Sequence, residues 1–259
     1  LTGTICAHRC QNKCTRNFYD ESIHIRDAKL VAAAHGYDAL MASIRPTEKL
    51  PGKKAAIIGG GPTGIAAAYF LARGGVQTTI FEREEKLGGV PRYVIPAFRI
   101  SDEALDKDVA LMERLGVEVK CGAPAPSVAE LKKMGYTHIL LATGAWQAGE
   151  LGIPGNVRGV IAWMKEMKQQ VKPCLEGHVV VVGAGNTAMD AARVAKRMGA
   201  ASSTIVYRRT KKEMPADEHE LKLAIDEGVE FVELAAPVKQ SRGKLLCDKM
   251  ILGEPDESG

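Results

Sequence analysis

Two segments of the chain have the glycine spacing that lets a backbone turn come close to a phosphate. They are Gly59–Gly64, with the sequence GGGPTG, and Gly183–Ala188, with the sequence GAGNTA. Each follows an apolar run that predicts a buried strand and opens a segment that predicts a helix. In this context, free backbone N–H groups at the helix start favour the pyrophosphate of a dinucleotide. The sequence therefore predicts two nucleotide sites.

The residues after the next predicted strand distinguish the two sites. The strand at 78–81 is followed by Glu82, whose carboxylate can accept hydrogen bonds from ribose hydroxyls and repels a 2′-phosphate, so this site suits FAD or NAD. The strand at 204–207 is followed by Arg208 and Arg209, whose guanidinium groups suit a phosphate monoester. A merely solvated arginine pair is the weaker interpretation, because the pair lies where a nucleotide unit reads its ribose. The second site is predicted to bind NADP.

Three of the six cysteines, Cys6, Cys10 and Cys14, form a C-x3-C-x3-C pattern near the amino end. In an intracellular chain such crowding indicates a metal site more often than a disulfide framework. Soft thiolates select zinc or an iron–sulfur cluster, and either usually takes a fourth ligand. His8 or His24 could complete a zinc site, whereas a cubane cluster would need another cysteine, so the residues alone leave the metal open. The other cysteines are far apart and are predicted to be buried or unreactive thiols: Cys121, Cys174 and Cys247.

The composition excludes several classes of protein. Of the 259 residues, 46% are hydrophobic and 25% are charged, as in an ordinary globular protein with room for about two domains. The net charge of +4 is spread along the chain without basic blocks, which argues against nucleic acid as a partner. No apolar run approaches the roughly 18 residues that span a membrane, and the first residues lack the apolar region of a signal peptide. A cytoplasmic location is the default expectation.

The order of motifs divides the chain into three stretches. Residues 1–45 form a cysteine region with an Ala-rich helix predicted over 27–44, residues 46–150 a first nucleotide-binding domain, and residues 151–259 a second. Ser101 is predicted to cap a helix, and Ser127 with Glu130 forms a capping box on the next. Because the chain ends in a turn-rich stretch after part of a hairpin, both nucleotide domains are expected to lack their carboxy-terminal parts.

Several motifs in order resemble one family nearly from end to end. They are Thr2-Gly3 with the three cysteines, Ile23-His24-Ile25, the first glycine turn, Gly88-Gly89 through Ile95-Pro96 to Phe98-Arg99, Ala142-Thr143-Gly144, the second glycine turn with Met189-Asp190, and Tyr207-Arg208-Arg209 through Glu213 to Ala216. This pattern is similar to the iron–sulfur flavoprotein family of the glutamate synthase small (beta) subunit and the amino-terminal half of dihydropyrimidine dehydrogenase. Within that family it resembles an iron–sulfur flavoprotein subunit described as a selenate reductase.

The resemblance implies an α/β fold with two Rossmann-like dinucleotide-binding domains of the three-layer ββα type, preceded by a helical iron–sulfur region. It implies an NADPH-dependent flavin oxidoreductase that passes electrons through FAD and [4Fe-4S] clusters to a larger catalytic subunit or domain. Residues implied to face FAD are Gly59, Gly61, Pro62, Thr63, Gly64, Glu82, Arg83, Leu87, Gly88, Gly89, Arg99 and Gly144. Those implied to face NADPH are Gly183, Ala184, Gly185, Asn186, Thr187, Arg208 and Arg209. Cys6, Cys10 and Cys14 are implied to be cluster ligands.

The chain departs from the family pattern in three respects. It has no further cluster cysteines upstream, it lacks the family's Gly-Asp motif, and it has Lys29 where the family often has a Glu or Gln cluster ligand. An ammonium group cannot ligate iron. The unfinished appearance of both nucleotide domains favours an alternative function, a docking or relay module without independent activity. A disulfide reductase of the same architecture would need a Cys-x-x-Cys pair, which the sequence does not contain.

Overall fold

The computed structural model describes residues 3–147 and 149–253, which belong to two compact units. The first unit ends at Ala145 and the second begins at Trp146. No helix in these described ranges is long and apolar enough to cross a lipid bilayer.

The amino-terminal part of the first unit has little buried surface. It contains α1 (Arg9–Asn12), a 3-10 turn (Thr15–Phe18) and α2 (Ile25–Ser43). The Ala-rich helix predicted over 27–44 is therefore present and begins two residues earlier. None of its residues is buried, so α2 does not contribute to the core of the first unit.

A four-stranded parallel sheet forms the centre of the first unit. Its strands are β1 (Lys54–Ile58), β2 (Gln77–Phe81), β3 (Glu118–Lys120) and β4 (His138–Leu141), in the order β3-β2-β1-β4. The helices are α3 (Pro62–Arg73), α4 (Val90–Tyr93), α5 (Asp102–Glu113) and α6 (Val128–Lys133). This strand order is the one that begins a doubly wound dinucleotide-binding sheet, in which ligands lie beyond the carboxyl ends of the strands.

Burial explains why these strands are apolar. Ile57 of β1 and Ile80 of β2 are fully buried, as expected for a parallel sheet that is covered by other elements. Ala68 and Ala72 of α3 join the same core, and their small side chains let the helix pack closely on the sheet. The close packing fixes the amino-terminal end of α3 beside the end of β1.

The predicted helix starts are confirmed. The Ser101 hydroxyl accepts a hydrogen bond from the Ala104 N–H, which caps α5, and Ser127 forms a reciprocal capping box with Glu130 at the start of α6. Both interactions are local in sequence, which is why the pattern alone identifies them.

The second unit repeats the strand and helix alternation with a smaller sheet. Its parallel strands are β5 (His178–Val182), β6 (Ser202–Val206) and β7 (Val229–Val232), in that order, and its helices are α7 (Val160–Gln169), α8 (Asn186–Arg197) and α9 (Glu218–Asp226). Met189, Ile205 and Ala224 are fully buried between helices and sheet. An antiparallel hairpin, β8 (Ala235–Ser241) with β9 (Lys244–Lys249), follows.

Two expectations differ from the second unit as observed. The strand predicted over 204–207 is β6, which ends one residue earlier, at Val206. The partial hairpin expected after residue 246 is instead a complete two-stranded pair that begins at Ala235. Because of the first difference, the residue that directly follows β6 is Tyr207 and not Arg208.

Candidate functional site

The first glycine turn connects β1 to α3, and two of its glycines are required by the protein itself. Gly59 has φ +109°, and a Cβ atom there would lie 2.3 Å from the carbonyl oxygen of Ala142. A Cβ atom on Gly64 would lie 2.0 Å from the carbonyl oxygen of Gly59. Any side chain at either position would displace backbone, so these two glycines close the turn.

Gly61 has no such requirement. Its φ of −75° and ψ of −175° suit any residue, and a Cβ atom there would meet only the Cα of Gly89, at 3.8 Å. Gly61 lies at the start of α3, where no side chain of the described residues caps the helix. The exposed Pro62 and Thr63 begin the helix. The glycine therefore leaves space beside a helix N-terminus, whose dipole and free N–H groups favour an anion.

Glu82 lies against the same turn. Its buried carboxylate accepts hydrogen bonds from the Gly60 N–H at 2.6 Å and from the Glu84 N–H at 2.9 Å, one on each oxygen. A Cβ atom on Gly60 would lie 3.1 Å from the carboxylate and 2.2 Å from Cδ2 of Leu87. Each carboxylate oxygen retains a lone pair for a further donor. Glu82 thus supports the turn and can still accept hydrogen bonds from ribose hydroxyls.

A loop at Leu87–Gly89 packs on the other side of the turn. The Gly88 N–H donates to the Gly60 carbonyl at 2.8 Å, and a Cβ atom on Gly89 would lie 2.8 Å from Cα of Gly61. Gly88 and Gly89 have φ of +130° and +57°, which favour glycine at both positions. The structure therefore brings the first turn, Glu82 and this loop together, as the sequence predicted for one site.

The remaining residues predicted for this site, Arg83, Arg99 and Gly144, lie outside the turn and the loop. Arg83 is exposed and faces Glu84 at 3.7 Å. Arg99 is half-buried between α4 and α5, and its backbone N–H donates to the Pro96 carbonyl at 2.9 Å. Gly144, with φ +73°, follows β4. Their roles toward a ligand stay predictions.

The second glycine turn connects β5 to α8 and is more open. Gly183 has φ +114°, but a Cβ atom there would meet nothing within 4 Å. Gly185 has φ −86° and ψ 170°, and a Cβ atom there would meet only Cγ of Pro215, at 4.0 Å. As at Gly61, nothing in the described protein requires this glycine. Thr187 is exposed in the first turn of α8.

The segment around Pro215 packs along this second turn. The Ala216 N–H donates to the Ala184 carbonyl at 3.1 Å, and the Asp217 N–H donates to Oδ1 of Asn186 at 3.4 Å. These bonds fix the segment that follows the two arginines against the start of α8. The end of the sequence motif that joins Tyr207 to Ala216 therefore contacts the second glycine turn.

The residue of the second unit that is equivalent to Glu82 is Tyr207, one residue before the position that the sequence predicted. The Gly59 N–H donates to the carbonyl of Phe81, the residue before Glu82, at 2.9 Å, and the Gly183 N–H donates to the carbonyl of Val206 at the same distance. The residue equivalent to Glu82 is therefore Tyr207 and not Arg208. The Tyr207 hydroxyl donates to the Glu213 carbonyl at 3.0 Å.

Arg208 and Arg209 follow Tyr207 as an uncompensated pair of charges. Arg208 is exposed, Arg209 is half-buried, and within residues 3–147 and 149–253 neither side chain has an ion pair or hydrogen bond. Nearby carboxylates are engaged elsewhere, since Glu213 bonds the Thr210 hydroxyl and Glu233 accepts from the Lys211 N–H. The two guanidinium groups can therefore bind an external phosphate without first breaking an ion pair.

The three amino-terminal cysteines lie in α1 and on either side of it. Among the residues that the structure describes, no three His, Cys, Asp or Glu side chains are arranged to hold a metal ion. Lys29 donates from Nζ to Cys6 Sγ at 3.1 Å. The backbone at His8, followed by Lys29, lowers the pKa of Cys6, and the backbone at Ile23 lowers the pKa of Cys14. Cys10 is exposed. Ligation of iron by these residues stays a prediction.

Comparisons with known proteins agree with the two-turn architecture. The chain is 41% identical over its whole length to YgfK of Escherichia coli (strain K12), named as an oxidoreductase, and spans 26% of that protein. It is 36% identical to the NADPH-Fe(3+) oxidoreductase subunit beta of Geobacter sulfurreducens and 31% identical to the NADPH-dependent glutamate synthase small chain of Escherichia coli (strain K12). All of this chain is covered in both, which corresponds to 41% and 60% of those proteins. The resemblance to the glutamate synthase small-subunit family is confirmed.

One solved structure and one family complete the comparison. Thioredoxin reductase of Lactococcus lactis shares the fold with a TM-score of 0.53 at 22% identity, over 78% of this chain and 73% of its own. Residues 53–255 match the family described as pyridine nucleotide-disulphide oxidoreductase. This match includes both glycine turns and both parallel sheets. The chain belongs to the pyridine nucleotide-disulphide oxidoreductase family.

Proposed function

We propose that this chain is the electron-input part of an NADPH-dependent flavin oxidoreductase, with FAD at the first glycine turn and NADPH at the second. In this proposal reducing equivalents pass from NADPH to FAD and then to a larger catalytic subunit or domain. The relatives named as a beta subunit and a small chain support such a partner, and both of their names include NADPH. Because the chain spans less than two thirds of these relatives, the activity of the whole protein is part of the proposal.

The observation that carries the proposal is the pair Gly61 and Gly185. Both have ordinary extended backbone, and neither would bring a Cβ atom into tight contact with the protein. Unlike Gly159, an equally unconstrained glycine at the start of α7, each of the two lies in a short turn between the end of a parallel strand and the start of a helix. A pyrophosphate that approaches the backbone at the start of α3 and of α8 supplies the same reason for glycine at both positions.

The side chains around each turn favour a different nucleotide at each site. Glu82 would accept hydrogen bonds from the ribose of FAD, and the Leu87–Gly89 loop would lie along the pyrophosphate and ring. At the second turn, Tyr207 leaves the ribose-reading position without a carboxylate, while Arg208 and Arg209 would bind the 2′-phosphate of NADPH. When bound, FAD supplies the chemistry that accepts a hydride and releases electrons, and the protein supplies position and electrostatics.

The route of electrons beyond FAD is not assigned to the cysteines. The described thiols of Cys6, Cys10 and Cys14 do not form a metal-binding group, so a [4Fe-4S] cluster at this place remains the expectation that the family resemblance supplied.

The test of the proposed function compares NADPH with NADH. Replacing Arg208 and Arg209 with alanine removes charge-assisted bonds of about 1.5–3 kcal/mol each, which predicts NADPH binding weaker by at least about 100-fold. NADH has no 2′-phosphate, so its affinity should change by less than about threefold. Calorimetric titration of both nucleotides measures the difference. Arg158→Ala, at an exposed ion pair with Glu166, is the control. An equal loss for NADPH and NADH contradicts the assignment.

A further inference from the structure

A buried arginine lies directly behind the loop at Leu87–Gly89. The Arg92 side chain is only 4% exposed, although its two carboxylate partners, Asp102 and Asp106, are each 59% exposed. Arginine is rarely buried to this extent unless it is fully engaged. Arg92 belongs to neither glycine pattern, and no sequence motif gives it a role. Its burial therefore indicates a structural role that a solvent-exposed charge would not have.

Arg92 connects the loop to α5 through two hydrogen bonds and one longer ion-pair contact, and among the described residues its Nη1 has no hydrogen-bond partner. Nε donates to the Leu87 carbonyl, Nη2 donates to Oδ1 of Asp106, and Nη1 lies 3.4 Å from Oδ2 of Asp102. The two aspartates are four residues apart and so lie on one face of α5. A planar guanidinium can serve a carbonyl and two carboxylates at once, which a lysine ammonium cannot do with the same geometry.

The loop that Arg92 holds is the one that lies on the first glycine turn. A Cβ atom on Gly88 would lie 2.8 Å from Cβ of Arg92, so the loop passes directly over this residue. On its other side, the loop donates from the Gly88 N–H to the Gly60 carbonyl at 2.8 Å. Because the loop backbone is confined between Arg92 and the turn, a change at Arg92 acts on the position of Gly88 and Gly89.

We propose that Arg92 is a positioning residue for the flavin: it holds the Leu87–Gly89 backbone against the first glycine turn in the geometry that FAD binding requires. The inference rests on the proposed binding of FAD at this turn. Arg92 acts through the loop, and Asp102 and Asp106 act by holding its guanidinium. Glycine at 88 and 89 allows the loop to adopt its conformation but also allows other conformations, so the contacts of the buried Arg92 side chain supply the restraint.

The experiment uses the full-length protein with three variants and a matched control. Arg92→Met keeps the length of the side chain without charge, Arg92→Lys keeps charge without the planar fork, and Asp106→Asn weakens one exposed partner. Arg73→Met, at an exposed position of α3, is the control. Hydrogen exchange of the segment 86–94 in the flavin-free protein reports the loop directly, and titration with FAD reports the consequence for binding.

Arg92→Met is expected to raise the exchange rate of the 86–94 segment and the dissociation constant of FAD by at least about tenfold each. Arg92→Lys should recover only part of the loss, Asp106→Asn should lose less than Arg92→Met, and Arg73→Met should match the unaltered protein. The bound flavin in Arg92→Lys should also have an altered visible absorption or circular dichroism spectrum, because the loop lies along the proposed flavin site.

Other outcomes separate this proposal from the proposed function. Lowered thermal stability with unchanged FAD affinity in the Arg92 variants would make the residue merely structural and overturn the proposal alone. If Arg92→Met does not fold, the same two measurements are made on Arg92→Lys and Asp106→Asn. An unchanged hydrogen-exchange rate of the 86–94 segment and an unchanged FAD affinity in both variants would overturn the proposal. If the unaltered protein takes no FAD, the flavin assignment of the first turn fails and this proposal fails with it.

Discussion

The two glycine turns share one sequence pattern, but the protein surrounds them differently. At the first turn, a Cβ atom on Gly59 would collide with the Ala142 carbonyl at 2.3 Å, whereas a Cβ atom on Gly183 would meet nothing within 4 Å. Gly60 is confined by Leu87 and Glu82, whereas Ala184 takes its place in the second turn. The glycine at the third position, Gly61 or Gly185, is unconstrained in both turns. Equivalent positions of the two turns are thus occupied by glycine for different reasons. Among the glycines at the first and third positions of the two turns, Gly61 and Gly185 are the pair that we attribute to a ligand.

The sheets explain this contrast. In the first unit, β4 pairs with β1 and places Ala142 beside Gly59. In the second unit, the described strands follow the order β5-β6-β7, so β5 has a neighbour on one side only among them. One flank of the second turn is therefore open where the first turn is closed by backbone. We therefore expect the first turn to be more rigid than the second.

The largest difference that we expect between the two turns is the loss of unfolding free energy when the first glycine of each is replaced. Gly59→Ala combines strain at positive φ with displacement of the Ala142 backbone, and we expect the first unit to lose about 3–5 kcal/mol of unfolding free energy. Gly183→Ala meets strain alone and should cost the second unit about 1–2 kcal/mol. Urea unfolding followed by hydrogen exchange in each unit measures both values. Equal losses would mean that Ala142 does not close the first turn.

A smaller effect, confined to the second unit, is its response to acid. The guanidinium groups of Arg197 and Arg193 lower the pKa of Glu227 from 4.5 to about 2. Because the pKa is lower in the folded state, the interaction stabilises the unit above about pH 4.5, and this stability is lost as the pH falls toward 2. Glu227→Gln should remove this part of the pH dependence.

The control for this prediction is Glu166→Gln, in an ion pair with Arg158 in which both side chains are about half exposed. Exposed pairs contribute little to stability, so this variant should keep the acid response of the unaltered second unit. Thermal unfolding of the second unit between pH 6 and pH 3 distinguishes the two variants, using a range set by the usual titration of carboxylates. An identical pH profile for Glu227→Gln and the unaltered protein would show that the Arg197 and Arg193 contacts do not persist in solution.

Sequence reasoning succeeded where the signal is local or periodic. The glycine turns, the strands before them, the Ser101 cap and the Ser127 capping box each depend on residues within a few positions of one another. The interactions it missed join distant residues. Glu82 was identified for its carboxylate, but its bond to the Gly60 N–H spans 22 positions, and Arg92 looks like an ordinary surface arginine until α4 packs on α5. The one-residue error at Tyr207 arose because β6 could be aligned with β2 only through the pairing of each strand with its glycine turn.

The central claim is that each turn binds its own nucleotide because the glycine at its third position, Gly61 or Gly185, admits a pyrophosphate. The most direct test replaces Gly61 or Gly185 with valine and measures FAD content and NADPH affinity in both proteins, with Gly159→Val, at another unconstrained extended glycine, as the control. We predict that Gly61→Val loses FAD but binds NADPH, that Gly185→Val loses NADPH but retains FAD, and that both units remain folded. Retention of both nucleotides in either variant, or loss of both nucleotides in each, would contradict the account.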